Sequence, residues 1–158
     1  MLESGKSGEW CPAIPNRPTP LSMGGFEMET FPASAAKEEG LRLLKAGKIR
    51  QAIVKLEQAL SLDPDDARLH CYLGAAYNSV PDKLHAIHHF EECLRIEETP
   101  KAYYNLGVVY ESVHRIDEAV RQYRMALELD PNYANAQEVL KKLHDRFEAE
   151  HQADKVHE

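Results

Sequence analysis

The stretch YNLGVVY, at 104–110, decides the fold. Its apolar residues recur at helical spacing, yet Gly107 sits in the middle, where glycine costs a helix about 1 kcal/mol relative to alanine. The arrangement occurs twice upstream, as CYLGAAY at 71–77 and KEEGLRLL at 37–44. Gly40, Gly74 and Gly107 stand 34 and 33 residues apart. A motif returning at that period signals a repeat architecture built from helix pairs. The cost of each glycine is offset if it marks a crossing of two helices. A bare backbone with a facing alanine lets the axes approach while the large residues around them interlock.

A second apolar helix follows each glycine-bearing one: IRQAIVKLEQALSLDP after KAGK, KLHAIHHFEECLRIEETP after SVPD, and IDEAVRQYRMALELDP after VHR. These align through Ala52, Ala86 and Ala119, again 34 and 33 apart. Pro64, Pro100 and Pro131 close the units, since proline disfavours helix at the residue before it. Thr99-Pro100 supplies a capping oxygen and then proline, a good helix start. From Ala134 to about Glu150 the pattern predicts a seventh helix, with Val139, Leu140, Leu143 and Phe147 on one side and charges on the other.

These residues resemble the tetratricopeptide repeat family. The resemblance is carried by the glycines with Leu73 and Leu106 before two of them, by Tyr77 and Tyr110, by the second-helix alanines, by Phe90 and Tyr123, and by Leu-Asp-Pro at 62–64 and 129–131. It covers residues 33–150. The third unit fits best. Glu39 stands in the first where a large apolar residue is usual, and the second carries Pro81 where a turn glycine is common. The family implies an all-α solenoid, a right-handed superhelix of antiparallel helix pairs. Here that means repeats at 33–66, 67–99 and 100–133, a capping helix at 134–150 and a polar C-terminal tail at 151–158. Each unit exposes an apolar side that stacking buries against the next.

Residues 1–32 differ in composition. They hold Pro12, Pro15, Pro18, Pro20 and Pro32 with four glycines, which predicts an extended tail. Pro12–Pro15 and Pro15–Pro18 have the spacing of polyproline II recognition motifs. Phe26, Met28 and Phe31 could instead fold over the first unit as a cap. GKSG at 5–8 has the ending of a phosphate-binding loop, but the glycine and the strand that such a loop needs beforehand are missing.

Composition narrows the function. The chain has 158 residues and a formal net charge of −7. An acidic protein lacks the basic footprint that nucleic acid or anionic lipid demands. No run of 18 apolar residues is present, so no membrane span is expected. Cys11, Cys71 and Cys93 are odd in number and far apart, which argues against a disulfide framework and favours a reducing, cytoplasmic setting. Cys71 and Cys93 read as small packing residues, Cys93 falling where the other repeats place Ala59 and Ala126. His85, His88 and His89 share a helix at i, i+3 and i+4, and read as solvated surface residues; no metal is assigned, because nothing nearby completes a ligand set. No Ser-His-Asp, Cys-His or paired-carboxylate arrangement stands out, so the chain is expected to be no enzyme and to carry no cofactor.

The family resemblance implies instead a concave surface, lined by the first helix of each pair, that binds an extended or helical segment of another protein. Carried onto this sequence, the lining comprises Lys37, Leu41 and Lys45, then Arg68, Tyr72, Ala75 and Asn78. Lys101, Tyr104, Asn105, Val108 and Ser112 follow, with Glu138 and Lys142 from the last helix. Tyrosines suit contact surfaces, and an asparagine both donates to and accepts from a partner backbone. Lys37, Arg68 and Lys101 form a basic stripe that favours an acidic ligand. Some family members clamp the acidic C-terminal tails of heat-shock chaperones with lysines, asparagines and an arginine. Lys37 and Lys101 match that clamp, whereas Leu41, Tyr72 and Asn105 replace its other members, so chaperone-tail binding is not assigned. The expected role is an adaptor or scaffold; the alternative is a homo-oligomeric building block, and a distant third is a metal-responsive regulator through the surface histidines.

Overall fold

The computed structural model describes residues 32–155; the tail readings at 1–31 lie outside them, whereas Pro32, read as the last tail residue, opens the first helix. Seven helices follow one another: α1 (Pro32–Lys45), α2 (Ile49–Leu62), α3 (Ala67–Asn78), α4 (Lys83–Ile96), α5 (Pro100–Ser112), α6 (Ile116–Leu129) and α7 (Ala134–Lys155). Helices pack as the pairs α1–α2, α3–α4 and α5–α6, and each pair packs on the next, with α7 against α6. The result is an all-α solenoid. None of these helices is long and apolar enough to cross a membrane. The last helix runs through Lys155, so 151–155 continue α7 where the pattern predicted a polar tail.

The helix ends follow local chemistry. Asp66 caps α3, accepting from the backbone N–H of Arg68 at 2.9 Å and of Leu69 at 3.2 Å. Thr99 caps α5 through Ala102 N–H at 3.2 Å, with Pro100 in the first turn where its missing N–H costs nothing. Between α1 and α2 the chain turns at Gly47, φ 72°. The matching residue between α5 and α6 is His114, at φ 61°, a region that residues with a Cβ seldom enter.

The glycines explain the core, with one correction. Ala52, Ala86 and Ala119 are fully buried, but the groups pressed onto the bare backbone are larger. A Cβ at Gly40 would lie 2.7 Å from the Leu56 side chain, at Gly74 2.9 Å from the Phe90 ring, and at Gly107 2.6 Å from the Tyr123 ring. Leu56, Phe90 and Tyr123 themselves recur 34 and 33 residues apart. Each repeat thus nests a large second-helix side chain in the space that a first-helix side chain would take. Burying such a group stabilises by about 1.5–3 kcal/mol, more than the glycine costs in helix propensity.

Polar ties join one repeat to the next at equivalent places. Tyr77 on α3 donates its hydroxyl to Glu57 on α2, and Tyr110 on α5 donates to Glu91 on α4 at 3.0 Å. Burial, helped by Glu57, pushes the Tyr77 hydroxyl up to about 12. Inside the third repeat, Tyr123 donates to Glu111 at 2.9 Å. On α7, Ala136 and Leu143 are buried, whereas Phe147 is 56% exposed.

Two further expectations are overturned. Cys71 on α3 and Cys93 on α4 are joined by a disulfide, their Cα atoms 5.5 Å apart. They stand 22 positions apart on the two arms of one helical hairpin, so distance along the chain says little about distance in space. The support that the cysteines lent to a reducing compartment falls with it. His89, expected at the surface, is buried. Its Nδ1 lies 3.1 Å from Nδ1 of His70, whose Nε2 lies 3.2 Å from the Pro64 carbonyl. A carbonyl only accepts, so Nε2 of His70 carries the hydrogen of that contact. The Tyr77 ring stacks on both His85 and His89. His85 and His88 remain exposed, with His85 paired to Asp82 at 2.8 Å. No group of three or more His, Cys, Asp and Glu among the described residues could hold a metal ion.

Gly107→Ala tests the nesting. The methyl group improves helix propensity by about 1 kcal/mol but overpacks against Tyr123, typically at a cost of 1–3 kcal/mol. We expect net destabilisation in urea unfolding, relieved when Tyr123→Leu is added; a stabilised single variant would refute it. A second expectation concerns pH. Burial, reinforced by the nearby His70, His88 and His85 and opposed by Glu92, holds the folded His89 at about 4. The unfolded side chain titrates near 6.5, so between those values the unfolded state binds the additional proton and stability falls as pH is lowered. Replacing His89 by glutamine, the residue at the equivalent position 122, should flatten the loss of melting temperature between pH 6.5 and 4; an unchanged slope would contradict this.

Candidate functional site

The first helices of the repeats, α1, α3 and α5, bring one group of expected residues together. Between α3 and α5 lies a cavity of about 290 Å³ walled by Arg68, Tyr72, Ala75, Lys101 and Asn105, with Glu97, Thr99, Ala67 and Ala102 at its margin and Cys71 and Cys93 in its lining. Arg68 and Lys101 are equivalent residues of successive repeats, as are Tyr72 and Asn105, so the wall repeats a cation followed by a contact residue. Arg68 and Lys101 are exposed, while Tyr72 and Asn105 are half-buried. A shallower depression of about 480 Å³ continues toward α1, sharing Ala67, Arg68 and Glu97 and adding Lys37, Asp65 and Asp66.

Other expected residues are engaged elsewhere. Lys37 forms a salt bridge with Asp66, the carboxylate that also caps α3. Burial raises and the Lys37 hydrogen bond lowers the Asp66 carboxyl, and with the capping amides the net direction is downward. The basic stripe therefore narrows to Arg68 and Lys101, which form no salt bridge among the described residues. Asn78 accepts from Lys83 Nζ at 2.8 Å, closing the α3–α4 turn. Lys142 pairs with Glu138 at 2.6 Å on exposed α7. Tyr104 packs among Tyr123 and Tyr133, with ring centroids 5.6 and 5.7 Å away, and Val108 packs beside the same core. Leu41 is half-buried on α1.

Several members of this wall and of the depression beside it are not apparent as site residues in the sequence. Asp66 carried a visible signal, since an acidic residue just before an apolar helix is a capping residue. Thr99 is legible as the cap of α5 but not as a lining residue, and Glu97 carries no signal of its place in the wall. The disulfide had no signal beyond two cysteines on adjacent helices.

Chemically, the wall offers one guanidinium, one ammonium, one phenol and one amide around apolar alanines and a disulfide. It holds no grouping of nucleophile, base and oxyanion donors. Such a surface can grip carboxylates and main-chain amides of an extended segment.

Comparison with known proteins agrees with the architecture. Residues 100–133 match the tetratricopeptide repeat model, and residues 40–79 match a second TPR repeat model. The Hsp70-Hsp90 organising protein of Plasmodium falciparum is 28% identical over 112 residues, 70% of this chain, which spans only 44% of that protein's length. A solved structure described as the first TPR of Spaghetti (RPAP3) bound to HSP90 peptide SRMEEVD superimposes with a TM-score of 0.70 at 25% identity. It covers 78% of this chain and 98% of its own. The Arabidopsis OM64 TPR domain gives 0.69 at 26% identity, covering 72% of this chain and 95% of its own. With its nested glycines, three helix pairs and closing helix, the chain belongs to the tetratricopeptide repeat family.

Proposed function

We propose that the chain is a non-catalytic protein-interaction module that holds an extended, acidic segment of a partner protein in the groove between α3 and α5. The observation that carries this reading is the cavity wall: two cations in register, one repeat apart, flank Tyr72 and Asn105 above an apolar floor. The cations attract carboxylates and set the ligand's register. Tyr72 offers apolar area with a polar tip, and Asn105 satisfies a donor and an acceptor of the ligand backbone. The similar domain bound to SRMEEVD supports an acidic ligand, since three of that peptide's seven residues are carboxylates. Because Lys37 is held by Asp66, the ligand is defined here by its chemistry, an acidic extended peptide. Acting in this way, the module serves as an adaptor or scaffold.

Labelled SRMEEVD and its neutral counterpart, with glutamine and asparagine at the acidic positions, test the reading by fluorescence anisotropy. The acidic peptide should bind the full chain, weaken as salt is raised, and bind the Arg68→Ala, Lys101→Ala double variant about tenfold less well. Tyr72→Ala with Asn105→Ala should weaken binding while leaving the helical circular dichroism intact. Equal binding of the acidic and neutral peptides, or of wild type and both double variants, would overturn it.

A further inference from the structure

We propose that Cys71 and Cys93 form a thiol–disulfide switch in the wall of the groove, in which Cys71 is the thiol that reacts with an anionic low-molecular-mass disulfide and Cys93 is the thiol that resolves the adduct. The assignment rests on placement. Cys71 is half-buried and lines the open cavity beside Tyr72. Cys93 also borders the cavity, but it is 2% exposed and packs among Ala67 and Ala102, so its sulfur is less open to a bulky reagent than that of Cys71. The two are already close enough to bond, with Cα atoms 5.5 Å apart. Neither repeat-equivalent pair can do this chemistry, since Lys37 and Tyr104 match Cys71 while Ala59 and Ala126 match Cys93. Arg68 and Lys101 on the same wall attract a negatively charged disulfide to the Cys71 sulfur; Glu97 is the one carboxylate among the lining residues.

The steps balance. In the reduced protein the Cys71 thiolate attacks one sulfur of the reagent, RSSR. A Cys71–SR bond forms, the reagent's own S–S bond breaks, and RS⁻ leaves and takes a proton. The Cys93 thiol then gives up its proton and attacks the Cys71 sulfur, releasing a second RS⁻. Two thiols of the protein are oxidised and one external disulfide is reduced to two thiols. An adduct on Cys71 lies in the cavity between α3 and α5, where a ligand would sit. Closure onto Cys93 expels it and staples the two helices of the repeat. Only that consequence for the groove rests on the reading proposed above; the thiol chemistry stands without it.

The test uses the reduced full chain, oxidised glutathione as probe, quenching with an alkylating agent and peptide mapping by mass spectrometry. Cys11 serves as an internal reference thiol. Wild type should yield the Cys71–Cys93 linked peptide, Cys93→Ala should accumulate glutathione on Cys71, and in Cys71→Ala the Cys93 thiol should react at least about tenfold more slowly than Cys11. Cys71 and Cys93 both remaining free in wild type after Cys11 has reacted would overturn the proposal, as would Cys93 reacting as fast as Cys11. If Cys71→Ala loses its helical circular dichroism, the wild-type time course decides: glutathione appearing first on Cys71 supports the order of steps, and first on Cys93 refutes it. Since no peptide ligand enters the assay, a groove that fails to bind SRMEEVD leaves this result standing.

Discussion

The structure depends on the approach of a bare backbone to a large side chain, made once in each repeat. Gly40 receives Leu56, Gly74 receives Phe90 and Gly107 receives Tyr123, each closer than any side chain at the glycine would allow. Protein interiors are packed too densely to absorb an additional methyl group without shifting a neighbour. The separation and tilt of each helix pair are therefore set at that contact. Successive pairs are then held by apolar stacking and by the recurring Tyr77–Glu57 and Tyr110–Glu91 ties. Stability in such an array is roughly a sum of units and nearest-neighbour interfaces, so a change at one crossing is felt chiefly by its own repeat and the next.

The middle repeat departs furthest from the other two, and the departures sit on different sides of it. Toward the groove it holds the disulfide, with Arg68 and Tyr72 on the same helix. Beside Cys71 on α3 and one turn from Cys93 on α4, but outside the cavity lining, it buries the His70–His89 pair, with the Pro64 carbonyl against His70 and the Tyr77 ring stacked on His89. Both features tie α3 to α4 by means that the other repeats lack. It is also the repeat that contributes Arg68 and Tyr72 to the proposed ligand surface.

Much of the fold is legible in the sequence because the repeat period exposes it three times. Gly74 alone could be a cap or a turn; Gly40, Gly74 and Gly107 at matched spacing exclude that. The partner of each glycine was misassigned to alanine, since one-dimensional alignment shows which positions recur but not which of two recurring buried residues crosses the backbone. The site was less legible, for a related reason. Arg68, Tyr72, Lys101 and Asn105 converge on one wall because they occupy the same two positions in adjacent repeats. Lys37 stands at a different repeat position, that of Cys71 and Tyr104, and meets Asp66, a cap whose second role depends on how α1 lies against α3. His89 looked exposed by its neighbours His85 and His88, and its burial needs His70 from another helix. Cys71 and Cys93 are likewise paired by the hairpin and not by their spacing.

The central claim is that the crossing contact shapes the groove, so it is tested most directly where the two are separated. Gly74→Ala places a methyl group against Phe90, inside the α3–α4 pair and absent from the cavity lining. Isothermal titration of this variant with the SRMEEVD peptide, at a temperature where its helical signal matches wild type, should show weakened binding although no groove residue has changed. Undiminished affinity in a fully helical Gly74→Ala protein would contradict the account.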